Sequence, residues 1–139
     1  MNKEFFKGLI RKNDLRLSQP RILIYQELSS TGAPLSPREL YRSLHKKRRK
    51  IGLTSIYRCL DLFEGLGIVF KISMRPNVRY RLCDSNGHHH HIVCKKCGRV
   101  VELNFCDMSD WTGKVTRQTG YEVTDHQLNF YGVCEACKA

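Results

Sequence analysis

The chain has 139 residues, a length that fits one domain or two small ones. Apolar residues make up 41%, enough for a folded core, and no stretch reaches the roughly 18 apolar residues that a membrane span requires. The N-terminal stretch has neither an unbroken apolar segment nor a small-residue cleavage site, so we expect a cytoplasmic protein without a secretory signal or a membrane partner. The net charge of +11 indicates a polyanionic partner.

The positive charge is concentrated in the first part of the chain. Residues 1–82 hold 18 Lys and Arg against 6 Asp and Glu, whereas residues 83–139 hold 6 against 7. Cysteine and histidine show the opposite bias, since six of the seven cysteines and five of the six histidines lie in the second part. We therefore predict a basic N-terminal domain, residues 1–82, and a Cys/His-rich C-terminal domain, residues 83–139. A single domain with one basic face is the alternative.

Helical spacing of apolar residues, with capping signals, predicts the first helices of the basic part. One helix is expected over residues 4–13, and a second runs from a candidate N-cap at Ser18 to Gly32. Ser36 and Glu39 have the spacing of a capping box, which begins a third helix.

A fourth helix is predicted to begin at Thr54 or Ser55 and to bury Ile56, Leu60 and Phe63. Its opposite face combines an aromatic ring, a guanidinium and small hydroxyls, which is unusual for a solvated helix. Two strands follow, over 68–73 and 78–82, around a predicted turn at Arg75-Pro76-Asn77. Helices that end in such a polar helix, followed by a hairpin, are typical of a winged helix-turn-helix.

In this motif the second helix of the turn enters the major groove of DNA. An arginine there reaches a guanine edge, a tyrosine reaches a thymine methyl or a phosphate, and hydroxyls and other basic residues reach phosphates. The candidate DNA contacts are Arg16, Arg21, Thr54, Ser55, Tyr57 and Arg58, with the basic run 46–50 beside them. A solvated helix end or a nuclear import signal is the alternative for 46–50, and a half-buried surface pair is the alternative for Tyr57 and Arg58.

The C-terminal part contains two C-x2-C pairs, Cys94 with Cys97 and Cys134 with Cys137. The two-residue spacer lets both sulfurs of a pair bind one ion, and two pairs complete a tetrahedral thiolate site. We therefore predict a structural Zn²⁺ held by these four cysteines. The chain between the pairs predicts a strand over 99–103, a helix over 107–119, and one or two strands over 121–133.

A second group of metal ligands surrounds four consecutive histidines. On a strand, alternate imidazoles point to opposite faces, so one face carries His89 and His91 and the other His88 and His90. A thiol nearby in sequence, that of Cys83, and a carboxylate on the next strand, that of Glu102, join the first face. His126 joins the second face. The candidate regulatory ligands are Cys83, His89, His91 and Glu102, and the candidate auxiliary ligands are His88, His90 and His126. A sulfur, two nitrogens and an oxygen favour tetrahedral Zn²⁺ over Fe²⁺ or Mn²⁺. The alternative is a solvated polyhistidine strand.

With these motifs the chain resembles the ferric uptake regulator family of bacterial metal-sensing repressors over nearly its whole length. The resemblance is carried by Pro20-Arg21, by GLTSIYR at residues 52–58, by HHHHIVCKKCG at 88–98, and by YGVCEAC at 131–137. It implies an α+β fold, a winged helix-turn-helix followed by an α/β dimerisation domain with structural zinc. It places that zinc on the four cysteines of the two pairs, the recognition-helix residues at Tyr57 and Arg58, and a minor-groove contact near Arg16.

Within the family, a cysteine followed by the histidine run looks most like the zinc uptake regulators. That resemblance maps the sensing site onto Cys83, His89 and His91, with Glu102 at the place of a glutamate ligand. Iron and peroxide sensors usually add a histidine where this chain has Ala33-Pro34. The hinge aspartate of some zinc regulators is Val69 here, and an acidic auxiliary ligand falls at Ser109, with two aspartates nearby.

The resemblance implies a zinc-responsive repressor of metal uptake genes that is not an enzyme and that binds a palindromic DNA operator as a homodimer. An iron-responsive regulator of the same family is the first alternative. A zinc hydrolase or deaminase is a further one, although the deaminase pattern H-x-E with P-C-x-x-C is absent. A zinc buffer or chaperone without sequence-specific DNA binding is the last.

Overall fold

The computed structural model describes residues 2–74, 77–84 and 88–138. The chain forms two compact units, Met1–Asn86 and Gly87–Ala139. Helices and two separate sheets make up the described residues, which confirms the α+β class. Among those described residues, none of the helices combines the length and the apolar character that crossing a bilayer requires.

Four helices and a hairpin form the N-terminal unit. In chain order they are α1 (Lys3–Lys12), α2 (Gln19–Thr31), α3 (Pro37–Lys46), α4 (Leu53–Gly65), β1 (Val69–Met74) and β2 (Asn77–Leu82). The capping box is confirmed, because Ser36 Oγ accepts from the Glu39 N–H and Glu39 Oε2 accepts from the Ser36 N–H. Gly32 ends α2 in the left-handed conformation, which glycine adopts without strain. Ser18 lies at the N-cap of α2 but makes no capping hydrogen bond there.

The apolar core of this unit lies where the four helices meet. Phe6 stacks on Tyr25 with ring centroids 4.1 Å apart, and it meets Phe63 edge-on at 5.5 Å. The apolar face predicted for α4 is buried here, and fully burying one such side chain is worth about 1.5–3 kcal/mol. Eleven buried residues of the helices share this core: Phe6, Ile10, Ile24, Tyr25, Leu28, Leu40, Leu44, Ile56, Cys59, Leu60 and Phe63.

The hairpin is antiparallel, with Val69 opposite Leu82. Leu35, just before α3, exchanges two backbone hydrogen bonds with Tyr80, at 2.9 and 2.8 Å, and so adds a bridge to β2. The hairpin is thereby tied to the helices as a wing. Of the predicted turn, Arg75 and Pro76 lie outside the described residues.

A buried carboxylate joins α2 to α3. Glu27 Oε1 accepts from Ser43 Oγ at 2.5 Å, and Oε2 accepts from Lys47 Nζ at 2.6 Å. Burial raises the pKa of Glu27, but the hydrogen bonds from Lys47 and Ser43 outweigh it and lower that pKa below its ordinary value. The ionised carboxylate therefore stabilises the helix pair.

The C-terminal unit is a small sheet with two helices. Its elements are β3 (His90–Cys94), β4 (Val100–Leu103), α5 (Ser109–Thr119), β5 (Asn129–Gly132) and α6 (Glu135–Lys138). The sheet order is β4-β3-β5, with β4 antiparallel and β5 parallel to β3. The helix predicted from residue 107 begins at Ser109, whose hydroxyl donates to Asp107. Of the predicted strands over 121–133, one forms among the described residues.

The interior of the C-terminal unit is made largely of metal-binding residue types. Counted over backbone and side chain together, only His90, His91, Val93 and Cys94 are buried among its described residues. Trp111 and Val115 of α5 are exposed, and α5 buries none of its side chains. An apolar core of the usual kind is therefore missing from this part of the described chain.

Candidate metal centres

The four cysteines of the C-x2-C pairs converge beyond one end of the sheet. Cys94 is the last residue of β3, and the turn after it is closed by the Gly98 N–H, which donates to the Cys94 carbonyl at 2.9 Å. Lys95 donates to the Gly132 carbonyl of β5, and this brings the second pair alongside the first. All four sulfurs lie within 4.8 Å of one another, with Cys97 Sγ 3.7 Å from Cys134 Sγ.

These sulfurs fit a zinc ion. With Zn–S bonds of about 2.3 Å, neighbouring sulfurs of a tetrahedral site lie roughly 3.8 Å apart. The Cys134 N–H donates to Cys94 Sγ at 3.4 Å and, with further backbone donors, lowers the pKa of Cys94 to about 6. Hydrogen bonds with Cys134 and Cys97 raise the pKa of Cys137 to about 12. The thiolate form is therefore favoured at Cys94 and the thiol form at Cys137, and a divalent ion bound here would require the protons of its ligands to be displaced.

A second cluster lies on one face of the sheet. His91 is opposite Glu102 in the β3–β4 register, and His89 precedes β3. Glu102 Oε1 lies 3.8 Å from His89 Nε2 and 3.7 Å from His91 Nε2, and all three side chains are buried. Two imidazoles and a carboxylate at this spacing can hold one divalent ion.

Cys83, the fourth predicted member, belongs to the N-terminal unit. It follows β2 directly, and its N–H donates to the Ile68 carbonyl at 3.1 Å. This hydrogen bond fixes its backbone to the residue just before the first strand of the hairpin. Its thiol is six residues before His89 along the chain.

The third cluster contains the three predicted auxiliary histidines and one residue that the sequence prediction missed, Cys106. His88 Nε2 lies 2.9 Å from His126 Nε2 and 3.3 Å from His90 Nε2. Cys106 Sγ lies 3.2 Å from His126 Nε2. Burial, followed by the neighbouring His88 and His126, lowers the pKa of His90 and favours its neutral, metal-ligating form.

The sequence does single out Cys106, because the other six cysteines have other assignments. The two C-x2-C pairs and Cys83 account for five of the seven cysteines, and Cys59 falls on the apolar face of α4. This leaves one cysteine in a polar segment that comes shortly before Ser109, the place of an auxiliary ligand in the resemblance. Its approach to His126 depends on a chain path without regular structure, which local spacing does not predict.

The predicted DNA-contact residues lie on the surface of the N-terminal unit. Tyr57 is 43% exposed, and all four candidates on α4 are exposed on the side opposite its buried face. Arg16 is exposed between α1 and α2, and its carbonyl accepts a hydrogen bond from the half-buried Arg21 guanidinium. The arrangement leaves the α4 side chains Thr54, Ser55, Tyr57 and Arg58 available to a groove.

Comparison with known proteins gives a consistent result. The sequence profile of the ferric uptake regulator family matches residues 12–131. The ferric uptake regulation protein of Neisseria meningitidis serogroup B is 35% identical over 132 residues, which cover 94% of this chain and 91% of that protein. The iron-containing structure of the Francisella tularensis ferric uptake regulator aligns with a TM-score of 0.63 and 28% identity, over 90% of this chain and 96% of that one.

A zinc uptake regulator in complex with zinc and DNA aligns with a TM-score of 0.76 over 97% of this chain and 91% of that one. Its identity is 22%, so this likeness concerns the fold. The profile match and the Neisseria relative together cover almost all of the sequence. The chain belongs to the ferric uptake regulator family of metal-responsive transcription regulators.

Proposed function

We propose that this chain is a zinc-responsive repressor that binds a palindromic DNA operator as a homodimer. The observation that carries the choice of metal is the donor set. His89, His91 and Glu102 cluster with buried side chains. Cys83 is the fourth proposed ligand, and a sulfur ligand favours Zn²⁺ over Mn²⁺ and Fe²⁺. The iron-type histidine before α3 is replaced by Ala33-Pro34.

The structural zinc is assigned to Cys94, Cys97, Cys134 and Cys137. The sulfur spacing supports this assignment, and the scarcity of apolar core in the C-terminal unit gives the ion a structural role. These four cysteines would hold the ion, which would join the turn at the end of β3 to the chain around α6. The auxiliary histidines His88, His90 and His126 are proposed as a further metal site.

Cys83 is proposed to link metal binding to DNA binding. Its backbone is held by Ile68 at the start of the wing, whereas its proposed partners belong to the other unit. A ligand set drawn from both units restrains the winged helix when it is complete. The shift toward the DNA-binding arrangement is then limited by how much more tightly that arrangement holds zinc.

The proposed contact with DNA is made by α4. Arg58 and Tyr57 are assigned to base edges, Thr54 and Ser55 to phosphates, and Arg16 and Arg21 to the flanking backbone. The exposed polar face of α4 and the +12 balance of residues 1–82 support this assignment. The zinc uptake regulator with the same fold is described in complex with DNA.

The proposed homodimer is formed by the C-terminal unit. Val101, Ile92 and Phe130 are opposite one another on three adjacent strands, so their side chains share one face of the sheet. All three are exposed, as are Trp111 and Val115 of α5. A second copy of the chain carries the same apolar surface, so the two surfaces can cover each other in a dimer. With half-sites about 34–36 Å apart, such a dimer matches a palindromic operator.

A metal titration of DNA binding tests the proposed function. Binding of the purified chain to DNA from its own promoter is measured by fluorescence anisotropy while Zn²⁺, Fe²⁺ or Mn²⁺ is added against a chelator. We expect operator binding at the lowest free Zn²⁺, with random DNA of equal length as the control. A response to Fe²⁺ at lower free metal favours the iron-responsive alternative, and metal binding without operator preference favours the zinc buffer.

Arg58→Ala tests the recognition helix in the same assay. Because a bidentate contact to guanine discriminates by about 1–3 kcal/mol, we expect the preference for operator over random DNA to fall by roughly that amount. An equal loss on both DNAs would assign Arg58 to a phosphate instead.

The zinc hydrolase alternative finds no support in the family, whose members regulate transcription.

A further inference from the structure

Cys106 brings a sulfur to the auxiliary histidines. It lies in the irregular segment between β4 and α5, and its Sγ is 3.2 Å from His126 Nε2. The Nε2 atoms of His88, His90 and His126 are 2.9–3.4 Å from one another. All four donor atoms lie within 4.8 Å of one another.

Hydrogen bonding among the rings does not explain this convergence. A neutral imidazole carries one N–H, and three Nε2 atoms that point at one another can share few protons. With Zn–N bonds of about 2.0–2.1 Å, neighbouring nitrogens of a tetrahedral site lie roughly 3.3–3.4 Å apart, near the spacing found here. The cluster therefore has the dimensions of a cation site with four ligands.

The carboxylate next to Cys106 in the chain makes a hydrogen bond outside the site. Asp107 follows Cys106 in the chain, but its Oδ1 accepts from the Ser109 hydroxyl at 2.9 Å. No Asp or Glu of the described residues joins the group formed by His88, His90, Cys106 and His126.

We propose that Cys106 is the fourth ligand of the auxiliary site and that this site takes a thiolate-accepting tetrahedral ion, Zn²⁺, from one sulfur and three nitrogens. On binding, the Cys106 thiol gives up its proton to solvent and its sulfur forms the bond to the ion, with no change in oxidation state. Thiolate and imidazole ligands suit Zn²⁺, whereas Mn²⁺, Mg²⁺ and Ca²⁺ prefer oxygen. The auxiliary site therefore discriminates against the hard divalent ions.

Cobalt substitution tests this assignment, because a thiolate bound to Co²⁺ gives a charge-transfer band in the near ultraviolet. The protein keeps zinc in the four-cysteine cluster and carries Cys83→Ser, which removes the thiol proposed for the regulatory site. We expect Co²⁺ to produce the thiolate band in this protein. Adding Cys106→Ser should remove the band and lower the binding affinity for one equivalent of Co²⁺ by about tenfold or more.

The matched control is Asp107→Asn, which removes the neighbouring carboxylate and should leave band and affinity unchanged. Loss of Co²⁺ binding in this control, or a full band after Cys106→Ser, would overturn the assignment. A second variant, Cys106→Asp, replaces the sulfur ligand by oxygen and should increase the affinity for Mn²⁺ by about tenfold. Electron paramagnetic resonance measures the bound Mn²⁺. Unchanged Mn²⁺ binding would count against Cys106 as a ligand. None of these readouts uses DNA, so a failure of the proposed repressor function would not imitate a failure here.

Discussion

The two units of this chain are stabilised by different means. The N-terminal unit buries eleven apolar side chains of its helices in one core, and the buried carboxylate of Glu27 on α2 pairs with the half-exposed Lys47 just after α3. The C-terminal unit buries His90, His91, Val93 and Cys94 among its described residues and leaves most of its larger apolar side chains exposed. The first unit therefore depends on the hydrophobic effect, whereas the second is expected to depend on bound metal and on a second subunit.

The largest expected effect is loss of the structural zinc. Cys94→Ser should unfold the C-terminal unit while α1–α4 stay folded, because zinc binding supplies about 10–16 kcal/mol in small zinc folds. Hydrogen exchange measures this directly, as loss of protection in β3–β5 with retained protection in α4. Cys59→Ala is the control. Cys59 is buried in the helical core, so this variant should keep its zinc. If the β3 amides of zinc-free Cys94→Ser stayed protected from hydrogen exchange, the C-terminal unit would not depend on bound metal.

The reverse experiment removes apolar core from the first unit. Phe63 is fully buried, so Phe63→Ala should lower the free energy of unfolding of the N-terminal unit by about 3–5 kcal/mol without releasing zinc. Tyr57→Ala, on the exposed face of the same helix, should change it by no more than about 0.5 kcal/mol. Urea unfolding and zinc content are measured together. Equal costs for the two variants would mean that the helical core is not what stabilises this unit.

The exposed row of the C-terminal sheet gives the third prediction. Phe130→Asp places a charge among Val101, Ile92 and the partner surface, and should raise the dimer dissociation constant about 100-fold, or ~2.7 kcal/mol. Sedimentation equilibrium measures this constant. Tyr121→Asp alters an exposed aromatic outside the strands and is the control. An unchanged dimer in Phe130→Asp would place the interface elsewhere.

The smallest effect concerns the ion pair of Glu27 and Lys47, in which the carboxylate is buried and the ammonium is half exposed. Glu27→Gln should cost about 1–3 kcal/mol near neutral pH, because the Lys47 ammonium and the Ser43 hydroxyl lose a charged partner. The folded-state pKa of Glu27 is lowered, so its stabilisation is present above the unfolded pKa of about 4.3. It is lost as the pH falls through the folded-state pKa, and the two proteins should converge there.

The control for that experiment is Glu64→Gln. Glu64 pairs with Lys71 at 3.6 Å in a partly exposed position, where such a pair is worth about 0–1 kcal/mol. Urea unfolding of both variants across a pH series separates the two carboxylates. A Glu27→Gln cost that stays constant below the unfolded pKa would rule out the carboxylate as its cause.

Local signals in the sequence predicted much of the N-terminal unit. The capping box of Ser36 and Glu39 and the left-handed Gly32 depend on residues a few positions apart, and both are found. Ser18 was the candidate N-cap of α2 and lies at that position, with Pro20 in the first turn, but its side chain makes no capping hydrogen bond. The backbone of α2 thus begins where the sequence indicated, without that hydrogen bond.

The C-terminal unit was less predictable because its contacts are distant in sequence. The C-x2-C spacing identified two sulfur pairs, and the sheet brings them together across almost 40 residues. The start of α5 was placed too early, since Asp107 accepts from Ser109 ahead of the helix. Cys106 was missed because nothing local indicates its approach to His126, 20 residues away.

The central claim is that zinc at a site containing Cys83 controls DNA binding. The most direct test compares the zinc dependence of operator binding by the unmodified chain and by Cys83→Ala, each with its structural zinc retained. We predict that Cys83→Ala needs at least about tenfold more free zinc for half-maximal binding, because one of four proposed ligands is gone. An unchanged zinc midpoint would contradict the claim.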